Sequence, residues 1–315
     1  MKTQRLTLNH VTLQIVEAGD PANPGLLFLH GFPDCHRVWS HQIEALADQF
    51  HVIAFDMRGA GASSSPTGDR PYRIDRLLPD IDAVITATRG KAGQVHLVGH
   101  DWGSIIGWSF LTEPDYAGRV LSWTAMSGPH LGLALDWFRD SLASGRRQKV
   151  KAGLGQLAHS WYVLAMNLPG LGRLVFGQAG GPVWRRVLHQ GGVPTADPYL
   201  QQDAAAIRGL TLNPLKLYQQ NLFTPPVRPL PAGIGVPSQL VVLTEDAYVR
   251  PQVFDGLERY VRHLSRVTLK ANHWAQRQHP DRVSALIREF ALQHQPEPGH
   301  KKTRRGAGSV ADTPA

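Results

Sequence analysis

Asp101 stands in Gly99-His100-Asp101-Trp102-Gly103-Ser104, directly after the apolar run Val95–Val98. A short, β-branched run of this kind marks a strand buried on both faces. Ile105–Leu111 beyond it carries a helical pattern. Strand, Gly-x-acid-x-Gly and helix in succession give the layout of a nucleophile elbow. Glycines on either side let the backbone turn sharply and push the central side chain out at the end of a sheet. A carboxylate in that place can attack carbon and form an ester, whose own carbonyl is then open to water. Taken alone, Gly-x-Asp-x-Gly reads equally well as an ordinary turn or a helix cap.

Other chemically capable residues fall at the ends of predicted strands. His30-Gly31-Phe32-Pro33-Asp34 follows Leu26–Leu29 at once. Glu245 and Asp246 follow Gln239–Leu243, and either can orient a histidine. His273 lies between Arg266–Leu269 and the last predicted helix, while His279, just before Pro280, reads as the start of that helix. The chain order Asp101, acid, His273 is the nucleophile–acid–base order of α/β-hydrolases. Tyr162 in His159-Ser160-Trp161-Tyr162 and Tyr218 in Asn213-Pro214-Leu215-Lys216-Leu217-Tyr218 are phenols in a helical region. Without the elbow they would read as packing tyrosines. Cys35, the single cysteine, has no motif around it and is not expected to be a nucleophile.

The surrounding elements alternate. An opening hairpin is predicted over Arg5–Asn9 and Thr12–Glu17, strands over Leu26–Leu29, Val52–Phe55 and Val120–Met126, and helices over Val38–Phe50 and Asp75–Thr88. Alternating strands and helices imply a mostly parallel sheet with helices on both faces. The alternation stops at Leu131 and resumes with Gln239–Leu243, a helix over Pro251–Tyr260, Arg266–Leu269 and a helix over Asp281–Leu292. The intervening chain is helical in tendency and has no convincing strand. We therefore expect a core over residues 1–130 and 236–295, a helical cap over residues 131–235, and a disordered basic tail over residues 296–315. The cap would lie over the carboxyl ends of the strands, where open α/β sheets bind ligands. Trp161, Tyr162, Val163, Leu164, Met166 and Leu168, with Val175, Phe176, Trp184 and Phe223, are expected to line an apolar cavity or to pack the cap helices.

The chain has 315 residues, 42% of them hydrophobic, and a net charge of +8. Nearly all of that excess lies between Leu131 and Gly235, where eleven bases face four acids for a net of +7. No motif interleaves these bases with aromatics, so no nucleic-acid partner is expected. A solvated basic face is the plain expectation, and weak association with an anionic membrane surface is the sharper one. Met1–His10 lacks the apolar segment of a secretory signal, no run reaches ~18 apolar residues, and a lone cysteine excludes an internal disulfide. These features give the expectation of a cytoplasmic protein.

The Gly99–Ser104 motif resembles the elbow of α/β-hydrolases with an aspartate nucleophile, the epoxide hydrolases and haloalkane dehalogenases. The likeness covers most of Gly25–Phe290 and is weakest through the middle. It implies the α/β-hydrolase fold with an inserted helical cap, no cofactor and no metal. It also implies an oxyanion hole from the backbone N–H groups of Phe32 and Trp102, with a cis Phe32–Pro33 bond. The spacing from acid to Pro251-Gln252 favours Asp246 over Glu245. Two cap tyrosines in epoxide hydrolases match Tyr162 and Tyr218, which with Phe32 and Trp102 would bind substrate. The implied activity is conversion of an apolar epoxide and water to a vicinal diol, with Asp101, Asp246, His273, Tyr162 and Tyr218 as catalytic residues.

Two departures bear on the dehalogenase alternative. Phe32 stands where many dehalogenases have Asn, and Trp102 stands where fluoroacetate dehalogenases usually have Arg. Arg58, in Asp56-Met57-Arg58-Gly59, is shared too widely to discriminate. A non-enzymatic binder of apolar ligands on the same fold is the third reading, and it has no need of Asp101, Asp246 and His273 together.

Overall fold

The computed structural model describes residues 1–168, 170–177, 180–222 and 233–295. Phe223, Arg228 and the expected tail at 296–315 lie outside the described residues, as do the side chains of Arg173 and Val175. Eight strands form one sheet: β1 (Lys2–Leu8), β2 (Val11–Ala18), β3 (Gly25–Leu29), β4 (His51–Phe55), β5 (Val95–His100), β6 (Val120–Met126), β7 (Ser238–Leu243) and β8 (Leu264–Leu269). Their spatial order is β1-β2-β4-β3-β5-β6-β7-β8. β1 and β2 pair as an antiparallel hairpin, β2 meets β4 antiparallel, and every other pairing is parallel. β3, β4 and β5 are buried along their whole length, which is why they read as continuous apolar runs without alternation.

Helices α1 (Ser40–Leu46), α2 (Ile74–Arg89), α3 (Trp102–Thr112) and the short α4 (Pro114–Ala117) connect the first six strands. Between β6 and β7 the described residues form only helices: α5 (Leu131–Ala143), α6 (Arg147–His159), α7 (Trp161–Asn167), α8 (Leu171–Gly177), α9 (Gly180–Gln190), α10 (Ala204–Thr211) and α11 (Lys216–Asn221), with one 3-10 turn at Pro198–Leu200. The short α12 (Ala275–Gln278) and the long α13 (Pro280–Gln293) close the chain after β8. Two apolar clusters fill the space on the two faces of the sheet, one built on Leu27, Leu97 and α3, the other on Leu26, Phe28, Val98 and α13.

Two helical expectations need correcting. Pro251–Tyr260 is not one helix but two 3-10 turns, Pro251–Phe254 and Leu257–Arg259. Gly256, at φ +89° between them, turns the chain into the left-handed region and ends the first turn. The Val38–Phe50 pattern likewise opens as a 3-10 turn at His36–Trp39, and its α-helix ends at Leu46. The His36 backbone N–H and ring both bond Asp56, at 2.8 and 2.7 Å, which fixes how the chain enters this segment. Elsewhere the expected strands appear within a few residues, and α3 starts at Trp102, three residues before its apolar pattern becomes readable.

Candidate active site

Because β3, β5, β7 and β8 run parallel, the loops at their carboxyl ends share one edge of the sheet. Each contributes one part of a site. The loop after β5 is the tightest. Asp101 has φ +53° and ψ −122°, a conformation that costs a non-glycine residue of order 1–3 kcal/mol unless its surroundings hold it. They do: its N–H donates to the Met126 carbonyl and its own carbonyl accepts from Ile105 N–H, both at 3.0 Å. A Cβ on Gly103 would strike the Leu29 carbonyl, and one on Gly31 would strike the Asp101 side chain. The glycines are there because strand, elbow and neighbouring loop touch at backbone distance.

The Asp101 carboxylate has two unlike oxygens. Oδ1 accepts from the Phe32 N–H at 2.7 Å. Oδ2 lies 3.7 Å from His273 Nε2. Burial pushes the carboxyl up to about 6, against the pull of His273 and of the Phe32 and Trp102 N–H groups. The Phe32–Pro33 bond is cis, as the resemblance implies.

His273 Nδ1 sits 3.1 Å from both Asp246 oxygens. Asp246 Oδ1 also accepts from the N–H groups of Tyr248 and Val249, at 2.8 and 3.1 Å. Burial would raise the Asp246 carboxyl, but the His273 charge and these hydrogen bonds hold it below the ordinary value. Burial would lower His273, and the Asp246 and Asp101 carboxylates outweigh it, so its pKa rises. Glu245, the rival acid, is half-exposed and pairs with Lys270 at 3.7 Å. His279 is exposed at the start of α13, where its position before Pro280 puts it.

Tyr162 on α7 and Tyr218 on α11 face this carboxylate across a cavity of about 240 Å³ that Asp101, His273, Phe32 and Phe176 also line. Their ring centroids lie 6.1 Å apart. Burial, with Asp101 next in weight, pushes both phenols well above their usual range, so both carry their protons. Tyr218 is bolted in place by its neighbours on α11. Gln220 accepts from Tyr72 N–H at 2.8 Å, and Asn221 accepts from Ile74 N–H at 2.9 Å while donating to the Tyr72 carbonyl at 2.8 Å. Tyr162 is set by rings: Tyr248 at 5.3 Å and Tyr218.

Trp102 differs from expectation. Its indole is fully buried, packs edge-on against Tyr218 at 5.1 Å and does not line the cavity. Only its backbone N–H reaches Asp101. Trp102 opens α3, and its indole bonds the Tyr218 phenol, so its side chain bears on the cavity through Tyr218. Leu164 and Leu168 neither line this cavity nor pack inward; they are 63% and 54% exposed.

Several participants carry no motif. Tyr248, two residues past Asp246, packs edge-on against His273 with ring centroids 4.7 Å apart and lines the cavity as a third tyrosine. Buried Gln156 on α6 donates to the Tyr248 carbonyl at 2.7 Å and accepts from Arg250 N–H at 2.9 Å, tying the insertion to the Asp246 loop. Asp34 accepts from Trp274 Nε1 at 2.9 Å and Tyr199 Oη at 2.8 Å, so one buried carboxyl joins the Phe32 loop, the His273 loop and the insertion. Its burial pushes it up to about 6. The adjacency of Tyr248 to the acid was the one readable signal among these. Cys35 is buried, and burial raises its thiol far above the usual range, which keeps it protonated and inert.

Residues 24–280 match the sequence profile of the α/β hydrolase fold. The chain belongs to the α/β-hydrolase family. It is 30% identical over 291 residues to the probable oxidoreductase EphD of Mycobacterium tuberculosis, a match covering 89% of this chain and 48% of that protein, so the chain spans about half the length of that relative. Epoxide hydrolase 3 of Xenopus tropicalis is 26% identical over 298 residues, 91% of this chain and 76% of that protein. Among solved structures, the epoxide hydrolase of Bacillus megaterium in complex with an inhibitor aligns with a TM-score of 0.75 at 27% identity, covering 91% of this chain and 99% of that one.

Proposed function

We propose that the chain is a cofactor-independent epoxide hydrolase that turns a small apolar epoxide and water into a vicinal diol. The observation that carries this reading is the division of labour around Asp101, with a hydrogen-bonded Oδ1, an Oδ2 turned towards His273, and two protonated phenols across the cavity. Epoxide opening generates an alkoxide, a strong base that is costly to form beside apolar walls without a proton donor. Tyr162 and Tyr218 hold the epoxide oxygen and one of them delivers that proton. Asp101 Oδ2 attacks a ring carbon from the opposite side and an alkyl ester forms.

His273, oriented by Asp246, then takes a proton from water, and hydroxide adds to the Asp101 carbonyl carbon. The charge that develops on Oδ1 is already met by the Phe32 and Trp102 N–H groups. Collapse of this intermediate breaks the ester C–O bond. The departing alkoxide takes up the proton of the added hydroxyl to give the diol and leave the carboxylate, and the proton on His273 returns to the phenolate. Residues 131–235 act as the cap that brings the phenols over the nucleophile and keeps bulk water out.

A halide leaves without a proton and needs only N–H donors around it. The Trp102 indole is buried and bonded to the Tyr218 phenol, and the two protonated phenols across the cavity are what favour the epoxide over the haloalkane. Incubation with a panel of apolar epoxides and haloalkanes, assayed for diol and for halide, tests the choice. Diol without halide is expected. Halide release without diol formation would replace this reading with the dehalogenase.

A further inference from the structure

Leu154 and Leu157 on α6, and Trp161 and Leu164 on α7 with Leu168 just past its end, are three or four residues apart within each segment, the spacing of a helix face, and the two helices meet at Ser160. That spacing normally marks the side that packs inward. Here all five are between 48% and 68% exposed. These residues lie on α6 and α7 and at the end of α7, and Leu174 on α8 is likewise 67% exposed. Leu135 and Leu142 on α5 are also exposed, and the gap between α5 and α7 is an apolar groove of about 390 Å³ lined by Phe138, Leu157, Val163 and Leu164 among others. Monomers rarely leave so continuous an apolar face in water.

Charge says what covers it. Arg146, Arg147 and Lys151 stand exposed at the amino end of the stripe and make no ion pair among the described residues, while Lys149 turns towards Asp136, Asp140 and Asp255. Arg147, Lys151 and Leu154, four and three residues apart, share one face of α6. A leucine and tryptophan face continued by bases is the pattern of an interfacial helix lying on anionic lipid.

We infer that α6 and α7 dock this chain onto an anionic lipid bilayer, the leucines and Trp161 entering the acyl boundary and the bases meeting the headgroups. Trp161 belongs to the stripe and also lines the cavity below it. Docking therefore brings the cavity against the phase in which apolar molecules collect. That consequence rests on the epoxide hydrolase reading; docking itself does not, and it is measured without substrate.

The test is co-sedimentation of the full chain with phosphatidylcholine vesicles, with and without phosphatidylglycerol, at low and at physiological salt. Binding to the anionic vesicles is expected, weaker binding to the neutral ones, and a salt-dependent loss of the difference. Arg147→Glu with Lys151→Glu, both on the surface, should weaken partition into anionic vesicles about tenfold or more while leaving neutral binding alone. Leu154→Ser with Leu157→Ser should lose binding to both, with circular dichroism confirming the fold. Equal binding to neutral and anionic vesicles, no sedimentation with either, or vesicle binding that survives the leucine pair would overturn the inference. So would a wild-type dimer, seen by light scattering, that the leucine pair dissolves.

Discussion

On the strand side of the cavity, polar groups are fixed by short hydrogen bonds from backbone that is itself part of the sheet edge. Asp101 rests on the Phe32 N–H, and Asp246 on two loop N–H groups and His273. On the insertion side the phenols sit on helices of six and seven residues that gain little from their own hydrogen bonding. There the fixing is borrowed: Gln220 and Asn221 reach back to the Tyr72–Ile74 backbone, and Trp184 Nε1 donates to the Pro33 carbonyl at 3.0 Å. The floor is rigid by topology. The roof is rigid only where a side chain ties it down, and α7, which has no fully buried residue, is tied least. A nucleophile needs the first kind of placement, whereas a proton donor that must admit substrate and release diol can use the second.

The strongest way to break this contrast is at the floor. Asp101→Asn should abolish diol formation and yet stabilise the protein. Its folded pKa of about 6 stands above the ordinary 3.8, so at neutral pH the fold carries an ionised carboxylate that burial disfavours. Asn removes that penalty and also tolerates positive φ better than most residues. The gain should be on the order of 1–3 kcal/mol above about pH 6 and vanish as pH falls towards 4. Denaturant unfolding across that range checks it, and a variant less stable than wild type at pH 7 would mean that Asp101 is a structural cap.

At the roof, the double change Tyr162→Phe and Tyr218→Phe should slow epoxide opening by on the order of 10²–10⁴-fold. Each single change should cost less, because the other phenol still holds the oxygen. Single-turnover rates measure this step directly, and a wild-type rate in the double variant would make both tyrosines packing residues.

A smaller effect sharpens the difference between borrowed and built-in order. Asn221→Ala leaves Ile74 N–H and the Tyr72 carbonyl without their partner, at a cost of about 1–3 kcal/mol. It should lower kcat several-fold through Tyr218 without touching hydrolysis of the ester. Pre-steady-state kinetics separate the two steps.

The same contrast explains what the sequence disclosed. Each floor group follows a strand, and the backbone demands of the turn select residues by type, so Asp101 and His273 were legible from local motif and chain order, while the choice of Asp246 over Glu245 and the role of the Phe32 N–H needed the family resemblance. The roof residues obey no such local demand. Tyr162 and Tyr218 were found only through the family resemblance, while Gln156, Tyr199 and Asn221 act through partners between 92 and 165 residues away along the chain. Apolar content alone placed Leu164 and Leu168 inside, because composition does not say which way a short helix is turned. Pro251–Tyr260 was read as a helix because its apolar spacing is helical, and the backbone requirement of Gly256 overrode it.

The central claim is a covalent ester on Asp101, and His273→Gln tests it most directly. The variant keeps the nucleophile, the N–H groups and both phenols but has no base for the second step. Intact-protein mass spectrometry after addition of an epoxide should show a persistent adduct of one substrate mass, mapping by peptide digestion to Asp101. Bound substrate with no adduct, or an adduct on another residue, would contradict the account.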